Sequence, residues 1–506
     1  MNSPNDYTAD VCLVIEGAYP YVPGGVSGWV HDLIRAHGDM SFHIVSLVTD
    51  DKPRRLRYEL PENVVDLQHV SLQDLRPGAR RVSGATALFE RLEAPLKAIQ
   101  KDGGLEQLGE IIGILAEHEG VLGSRVLLDS EAAFACLERM YEETMPSGSF
   151  LHYFWTWRSL FGGLFATLVA PLPRTRVYHG ASTGYAGLLL ARAKLQTGRP
   201  VMVTEHGIYT NERRIEILMA DWLFDQTESG LSIKRRHRDL RDLWVHIFQQ
   251  YALLCYQACD HIITLYEGNQ RLQLQTGAPA DRLRIIPNGI DYPRYAAVER
   301  ETGKRRPTVG LIGRVAPIKD IKTFLSAIGL LREDVPDLRA LIIGPTDEDD
   351  DYYEECRALT THLGLDDVVE YTGCVDIRTY LGGIDILVLT SISEAQPLVI
   401  LEAGAAGVPV VATDVGSCRE LIEGRSDESP PLGPGGAVTS VAAPQEIAGR
   451  LHELLADDAH REACGRTLRR RVHASYNKTD IDRIYGELYW NLMGDDGRSP
   501  RLRRVV

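Results

Sequence analysis

Residues 391–417 of this chain read SISEAQPLVILEAGAAGVPVVATDVGS. The first part predicts a turn that passes into an apolar helix, and VPVVAT predicts a buried strand that follows it. Helices that alternate with buried strands build parallel sheets covered on both faces. The segment therefore predicts an α/β protein.

Two glutamates in this segment, Glu394 and Glu402, are separated by seven residues. A step of eight residues is just over two helical turns, so both side chains can lie near one face. Glu394 precedes the predicted helix and Glu402 lies inside it. Carboxylates only accept hydrogen bonds, and a helix N-terminus favours phosphate. The pattern indicates a ligand with hydroxyls at one end, a ribose at the other and phosphate between them.

The alternation of short apolar runs with longer amphipathic ones extends through most of the chain. The runs that predict strands in the first half are DVCLVIEG, FHIVSLVT, RVYHGAS, PVMVTEHG, HIITLY and LRIIPNG. Those of the second half are TVGLIGR, RALIIGP, VVEYTG, DILVLTS and VPVVATD. We predict two successive doubly wound domains, with ligand at the carboxyl ends of their strands.

The predicted boundary is AAVERETGKRRP, residues 296–307, which is charged and poor in apolar residues. The N-terminal domain is predicted over residues 1–296, with a helical insertion at about 80–149 where the alternation breaks. The C-terminal domain is predicted over 307–477. A last helix within 478–506 should bury Tyr485, Tyr489 and Trp490 against the first domain, ahead of a basic tail. The stretch EGRSDESPPLGPGGAV from Glu423 predicts an irregular loop.

The bulk composition excludes several classes of protein. A formal net charge of -15 argues against a general nucleic-acid binder. The N-terminus has no basic region and enters a strand at once, so we expect no signal peptide, and no apolar run reaches the ~18 residues of a membrane span. The eight cysteines form no CxxC pair, which favours free thiols over a zinc site. These features predict a cytosolic protein.

Two turns that follow predicted strands carry candidate phosphate contacts. In EGAYPYVPGGVSGWVHDLI, Gly24 and Gly25 lack a Cβ, so their amides either approach a phosphate or simply form a tight turn. In TVGLIGRVAPIKDIKTF, Arg314 follows a strand and Lys319 lies near the start of a helix. Such a cation pair can stabilise a diphosphate leaving group, and the alternative is ordinary surface charge.

Three further motifs are less specific. His206, in HGIYTNERR, lies at a strand end, where a ligand contact competes with a structural role. The acidic run DEDDD at 347–351 resembles a metal–nucleotide motif, but we predict a solvated acidic loop. The aromatic run YFWTWRSLF at 153–161 lacks a basic stripe, so it predicts core or an acceptor-side wall.

Taken jointly, these motifs resemble the retaining glycosyltransferases of family 4, which have the GT-B fold of two Rossmann-like domains facing across a cleft. EAQPLVILE matches the E-x7-E motif of that family, GRVAPIKD resembles its Arg–Lys phosphate site, and IIPNGID at 285–291 resembles the end of its first domain. The glycine-rich turn, TEHGIYTNERR and the helical insertion resemble more narrowly the subfamily of Pel exopolysaccharide synthesis.

The resemblance implies a role for each matching residue. Glu394 would hold hydroxyls of the donor sugar, Glu402 the ribose hydroxyls, and Arg314 and Lys319 the diphosphate. Gly24 and Gly25 would approach the donor phosphate from the opposite domain, and His206 would lie beside the sugar. Backbone groups that would contact the donor belong to Ala395, Gln396, Leu398, Gly373 and Val375.

The implied activity is transfer of a hexose from UDP-glucose or a related UDP-hexose to a growing exopolysaccharide, without a metal or other cofactor. The implied partners are the polysaccharide acceptor and membrane-embedded synthase subunits at the inner face of the membrane. A non-catalytic subunit that binds UDP-sugar remains an alternative. A dinucleotide-dependent oxidoreductase lacks its G-x-G-x-x-G motif after either first strand. Many relatives have Gly–Phe or Gly–Leu where this chain has Ala395–Gln396, which leaves the donor sugar open.

Overall fold

The computed structural model describes residues 7–79, 84–118, 120–146, 148–219, 240–301, 303 and 305–494. The predicted basic tail and the first residues of the predicted insertion lie outside these ranges. The chain divides into two compact units. The first unit comprises Met1–Thr264, Asn269–Arg284 and Tyr485–Val506, and the second comprises Leu265–Gly268 and Ile285–Ile484. The division after Arg284 comes earlier in the sequence than the predicted boundary at 296–307.

The first unit is built on a sheet with the strand order β3-β2-β1-β4-β5-β6-β7, counted over the described residues. Neighbouring strands from β3 to β6 pair in parallel. The strands are β1 Ala9–Glu16, β2 Phe42–Val48, β3 Val64–Ser71, β4 Thr175–Gly180, β5 Val201–Glu205, β6 His261–Thr264 and β7 Leu283–Ile285.

The helices between residues 25 and 275 include those of the predicted insertion. They are α1 Gly25–Ala36, α2 Ala85–Lys101, α3 Leu105–Ala116, α4 Ser124–Leu127, α5 Glu131–Thr144, α6 Phe150–Val169, α7 Tyr185–Thr197, α8 Tyr209–Met219, α9 Leu240–Ala258 and α10 Glu267–Gln275. The region around residues 85–144 is helical, as the sequence period indicates.

The second unit is built on a parallel sheet with the order β10-β9-β8-β11-β12-β13. Its strands are β8 Thr308–Ile312, β9 Arg339–Ile343, β10 Val369–Gly373, β11 Ile386–Leu389, β12 Val410–Thr413 and β13 Gly436–Thr439. The helices of this half are α11 Tyr292–Ala296, α12 Ile321–Asp334, α13 Asp350–His362, α14 Arg378–Leu381, α15 Leu398–Ala405, α16 Cys418–Glu423, α17 Pro444–Ala456, α18 Asp458–Ser475 and α19 Lys478–Met493.

Both faces of the second sheet are buried, which explains its continuous apolar runs. Successive strand side chains point to opposite faces. Val309, Leu311 and Ile342 lie in one core cluster, whereas Leu341 and Ile343 lie in another. A sheet covered by helices on both faces gives the doubly wound α/β class that the alternation predicts.

Two strands escape the sequence prediction, and both are edge strands. Strand β3 ends the order of the first sheet, and it mixes polar and apolar residues with only Val70 buried. Strand β13 ends the order of the second sheet and overlaps the end of the stretch predicted as an irregular loop. Both are partly solvated, so they lack the continuous apolar run that marks central strands, whereas the edge strands β7 and β10 lie in predicted runs.

Helix α19 carries the three aromatic residues that the sequence predicts to be buried, of which Trp490 is only partly buried. Tyr485 and Tyr489 are 1% and 0% exposed, and both belong to the range assigned to the first unit. The ring of His179 on β4 lies between hydroxyl groups, with Nδ1 2.7 Å from the Tyr489 hydroxyl and Nε2 2.9 Å from Thr204 Oγ1. Residues of α19 thus complete the core at the ends of β4 and β5.

Over the described part of the chain, no helix combines the length and the apolar character needed to cross a membrane.

Candidate functional site

The loops that follow β8 and β11 form the centre of the candidate site. These two strands are neighbours at the point where the strand order of the second sheet reverses, which is where open α/β sheets bind ligands. Two hydrogen bonds tie the loops together: Ile392 N–H donates to the Ile318 carbonyl at 2.9 Å, and the Thr390 hydroxyl donates to the Lys319 carbonyl at 2.8 Å.

The two loops bring Lys319 and Glu394 into an ion pair between Lys319 Nζ and Glu394 Oε1. The side chains are 20% and 14% exposed. Partial burial strengthens the interaction relative to a surface pair because water screens it less. The structure thus brings these two residues, 75 positions apart in the sequence, together at one edge of the sheet.

The turn that presents Lys319 ends in an unusual backbone conformation. Asp320 has φ 46° and ψ 55°, in the left-handed region that non-glycine residues seldom adopt. Its carboxylate accepts a hydrogen bond from Thr323 N–H at 3.3 Å and so caps helix α12. The cap stabilises the turn and with it the direction in which Lys319 leaves the backbone.

Gly416 holds the backbone of Glu394 in place from the other side. It has φ 54°, and a Cβ at this position would lie 2.3 Å from the Glu394 carbonyl oxygen and 2.4 Å from that of Ala395. The next residue, Ser417, donates its N–H to the Ala395 carbonyl at 2.9 Å. Only glycine fits both the conformation and the close approach, a role that no local sequence pattern indicates.

Arg314 lies after β8, as predicted, and pairs with a residue of the acidic run. Its Nη1 is 2.6 Å from both carboxylate oxygens of Glu348, and the two side chains are 53% and 41% exposed. The prediction that residues 347–351 form a solvated loop is wrong in part. Asp349 caps α13 by accepting from Tyr352 N–H at 2.9 Å, and Asp350 and Asp351 form its first turn.

These acidic residues stabilise a helix N-terminus, where negative charge is favourable. Over the described residues, no group of three or more His, Cys, Asp or Glu side chains is placed so that it could hold a metal ion.

Glu402 lies inside helix α15, one residue past its midpoint, whereas Glu394 precedes the helix. The hydroxyl of Tyr295 donates to Glu402 Oε1 at 2.8 Å. Burial raises the pKa of the Glu402 carboxyl, and the hydrogen bond from Tyr295 opposes that rise. Burial and the neighbouring carboxylate both raise the pKa of Tyr295. The phenol therefore acts as the donor.

Gln396 is 7% exposed, and its side chain is bound within the protein. Gln396 Oε1 accepts from Asn288 N–H at 2.7 Å, and Nε2 donates to the Asn288 carbonyl at 3.4 Å. Gln396, at the position where many relatives have Phe or Leu, therefore holds the IIPNGID segment through the backbone of Asn288. Ala395 precedes helix α15 and Leu398 begins it, and the first amide groups of a helix have no carbonyl four residues earlier to bind.

Gly373 and Val375 lie at the carboxyl end of β10, on the same edge of the sheet as the loops after β8 and β11. Gly373 has φ 68°, and its carbonyl accepts from Gly344 N–H at 3.1 Å. Val375 packs against a core cluster of the second unit.

In the first unit, Gly24 caps helix α1 and Gly25 begins it. A Cβ at either glycine would meet no atom within 4 Å, and Gly24 has extended backbone with φ 164°. Contacts within the described chain therefore do not require glycine at these two positions.

His206 follows β5 and lies beside Trp29 of helix α1, with ring centroids 4.5 Å apart at 70°. The preceding residue, Glu205, is 1% exposed and accepts hydrogen bonds from Thr183, Tyr256 and Gln273 at 3.0, 2.6 and 2.9 Å. These donors fix the end of β5 and hence the position of His206. No local sequence pattern indicates the contact of Trp29 with His206, because the two residues lie far apart in the sequence.

Comparison with known proteins gives the family. Residues 9–281, more than half of the chain, match the family described as Domain of unknown function (DUF3492). The chain belongs to this DUF3492 family. Residues 306–457 match the family described as Glycosyl transferases group 1, and this range holds Arg314, Lys319, Glu394 and Glu402.

Two curated relatives are similar to part of this DUF3492 protein. One is D-inositol 3-phosphate glycosyltransferase of Paenarthrobacter aurescens (strain TC1), 31% identical over 38% of this chain and 47% of the relative. The other is GDP-mannose-dependent alpha-(1-6)-phosphatidylinositol monomannoside mannosyltransferase of Mycobacterium tuberculosis (strain CDC 1551 / Oshkosh). It is 29% identical over 43% of this chain and 57% of the relative. The chain thus spans less than two thirds of the length of these relatives.

Among solved structures, Anabaena Alr3699/HepE in complex with UDP is similar, with a TM-score of 0.56 and 16% identity. The match covers 95% of this chain and 99% of that one. Together with the two parallel sheets, this likeness confirms the predicted fold class, which is the GT-B class with two Rossmann-like units.

Proposed function

We propose that this protein is a retaining, metal-independent hexosyltransferase. It transfers a hexose from a UDP-sugar, UDP-glucose or a related UDP-hexose, to a growing exopolysaccharide. The observation that supports this most is the pairing of Lys319 with Glu394 at the carboxyl ends of β8 and β11, with Glu402 on the helix that follows. This arrangement lies inside the range that matches the Glycosyl transferases group 1 family.

The chemistry at the donor would be electrostatic. The bond between the anomeric carbon and the diphosphate breaks, the acceptor hydroxyl bonds to the same face, and its proton passes to a departing phosphate oxygen. Lys319 and Arg314 would stabilise the charge that develops on the diphosphate. Glu394 would accept hydrogen bonds from the sugar hydroxyls and orient the reactive carbon. No side chain has to become a covalent nucleophile.

The remaining donor contacts are proposed on the same grounds. Glu402 would accept from the ribose hydroxyls, and His206 would lie beside the sugar. Backbone groups would complete the site, at Ala395, Gln396 and Leu398 for sugar and phosphate, at Gly373 and Val375 for the base, and at Gly24 and Gly25 for phosphate.

The acceptor and partners follow from the narrower resemblance to PelF, the glycosyltransferase of Pel exopolysaccharide synthesis. The acceptor would be the growing polysaccharide. The protein would work in the cytoplasm at the inner face of the membrane, with membrane-embedded synthase subunits. Anabaena Alr3699/HepE was crystallised in complex with UDP, whereas the Mycobacterium relative is named for its dependence on GDP-mannose. A test for the donor should therefore include both UDP-sugars and GDP-sugars.

The first experiment is a thermal shift panel of UDP- and GDP-sugars with the full chain. A true donor raises the melting temperature because it binds only the folded protein. Release of the nucleoside diphosphate from that donor, with and without polysaccharide, then measures catalysis. Binding without any release or transfer would favour the non-catalytic subunit instead.

Two substitutions test the assignment of residues. Lys319→Ala and Glu394→Gln are each expected to lower kcat by about 10²–10³-fold, because the first loses a cation that stabilises the charge on the diphosphate and the second loses a group that orients the reactive carbon. The matched controls are Lys322→Ala and Glu355→Gln, which break an exposed ion pair of the same unit. Full activity in either site variant would contradict the proposal.

The glycine assignments have their own test. Gly25→Ala should fold like the parent because its Cβ meets open space, yet it should weaken donor binding if a phosphate approaches this amide. Gly28→Ala is the control, since Gly28 lies in the same helix and is equally unobstructed. Equal donor affinity of the parent and both variants would remove Gly25 from the site.

A further inference from the structure

The segment that precedes the second sheet is hydrogen-bonded at two points, once to the turn before helix α15 and once to the helix itself. Gln396 binds both the N–H and the carbonyl of Asn288, as described above. The carboxylate of Asp291 accepts from Arg294 N–H at 3.2 Å and caps the short helix α11. Tyr295 lies on helix α11, and its hydroxyl donates to the carboxylate of Glu402, 107 positions further along the chain.

The hydrogen bond from Tyr295 leaves the Glu402 carboxylate partly available. The phenol donates to Oε1 at 2.8 Å, and among the described residues no other side chain is hydrogen-bonded to this carboxylate. A carboxylate offers about four acceptor positions on its two oxygens. Oε2 and the second acceptor position of Oε1 can therefore receive two further hydroxyl donors, which is the number a ribose 2′,3′-diol supplies.

We propose that Tyr295 is a positioning residue that orients Glu402 for a ribose diol and so makes the site select ribonucleotides over 2′-deoxyribonucleotides. The inference rests on the proposed function, because it takes Glu402 as the ribose acceptor. A carboxylate held by one fixed donor is already oriented when the ligand arrives, so less freedom is lost on binding. A ligand without the 2′-hydroxyl leaves this half-buried acceptor short of a donor, which is costly.

The surrounding charges fit this role. Burial disfavours the ionised form of Glu402, while Tyr295 and the positive charge of Arg294 favour it. Removing the phenol hydroxyl takes away both the orientation and one of the two groups that keep the carboxylate ionised. Tyr295→Phe keeps the ring and its packing, so the change is confined to one hydroxyl group.

The test measures dissociation constants of the full chain for UDP, 2′-deoxy-UDP, GDP and 2′-deoxy-GDP by calorimetry. The variants are Tyr295→Phe, Glu402→Gln and Tyr295→Phe with Glu402→Gln. Tyr292→Phe is the matched control, because Tyr292 lies in the same short helix and its hydroxyl accepts from Arg469 at 3.4 Å instead.

The parent and Tyr292→Phe should bind the ribonucleotide about tenfold or more tightly than its deoxy form. Tyr295→Phe should lose most of that ratio, and it should have no further effect in the Glu402→Gln background. An unchanged ratio in Tyr295→Phe would overturn the inference while the donor site stands. A parent that binds none of the four nucleotides would overturn the proposed function and the inference with it.

Discussion

Mild acid is expected to destabilise the first unit through one buried histidine. His179 is 1% exposed, and both of its ring nitrogens face hydroxyl groups, those of Tyr489 and Thr204. Burial lowers the pKa of His179 to about 3, and the nearby His206 acts in the same direction. In the unfolded chain this imidazole recovers an ordinary pKa of about 6.5.

The size of the effect follows from proton linkage. Above pH 6.5 neither state of the histidine carries a proton, so the full stability is present. As the pH falls below 6.5, the unfolded chain binds a proton that the folded chain rejects, and the free energy of unfolding drops by about 1.4 kcal/mol per pH unit. Between pH 7 and pH 5 the loss amounts to about 2 kcal/mol, and it continues down to about pH 3.

Tryptophan fluorescence gives an assay for this unit alone. The described tryptophans, Trp29, Trp155, Trp157, Trp244 and Trp490, all fall within its ranges, and the sequence of the second unit contains none. Guanidinium unfolding followed by tryptophan emission at pH 8, 7, 6 and 5 therefore reports the first unit.

The comparison variant is His179→Gln, which can still donate and accept hydrogen bonds but does not titrate. Buried carboxyls such as Glu16 and Glu205 have raised pKa values and act in the opposite direction, so the parent curve alone does not isolate His179. The stability advantage of the parent over the variant should shrink by about 2 kcal/mol between pH 7 and pH 5. An advantage that stays constant with pH would refute the reasoning.

Two further predictions concern the candidate donor site. Glu348→Gln removes the exposed carboxylate partner of Arg314, so a nucleotide sugar should bind more tightly, by about fivefold or less and chiefly at low salt. Glu355→Gln is the control. Weaker binding by Glu348→Gln would contradict the assignment of Arg314 to the diphosphate. Gly416→Ala drives a Cβ into the Glu394 and Ala395 carbonyls, whereas Gly407→Ala, with φ 77° and only a side-chain carbon at 3.9 Å, suffers the backbone strain alone. Melting temperature and donor release should therefore fall further in Gly416→Ala, and equal losses would argue against the close contact.

The sequence predicts the central strands of both sheets but misses one edge strand of each, β3 and β13. Central strands such as β8 and β11 are buried on both faces, so their runs are almost wholly apolar and are visible without structural information. Strands β3 and β13 have one neighbour each, and their composition is set partly by water. The fold class can therefore be predicted from a single sequence, whereas the full number of strands in each sheet cannot.

The candidate site divides along the same line. Lys319 and Glu394 are predictable because strand ends in a parallel sheet meet at one edge, so two local motifs suffice to bring them together. Tyr295 and Gly416 are different, since each matters through a contact with a residue that no local pattern identifies. The side chain of Gln396 is a further example, because its hydrogen bonds to Asn288 join two segments that no local pattern connects.

The contribution of α19 to the first unit has a consequence during synthesis. The strands β1 to β7 are complete once residue 285 has left the ribosome, yet Tyr485 and Tyr489 emerge only after a further stretch of about two hundred residues has been translated. Until then His179 lacks the Tyr489 hydroxyl, and an apolar surface beside β4 stays open. The first unit therefore cannot complete its core until the second unit has been translated, and chaperones can reach the exposed surface during that interval.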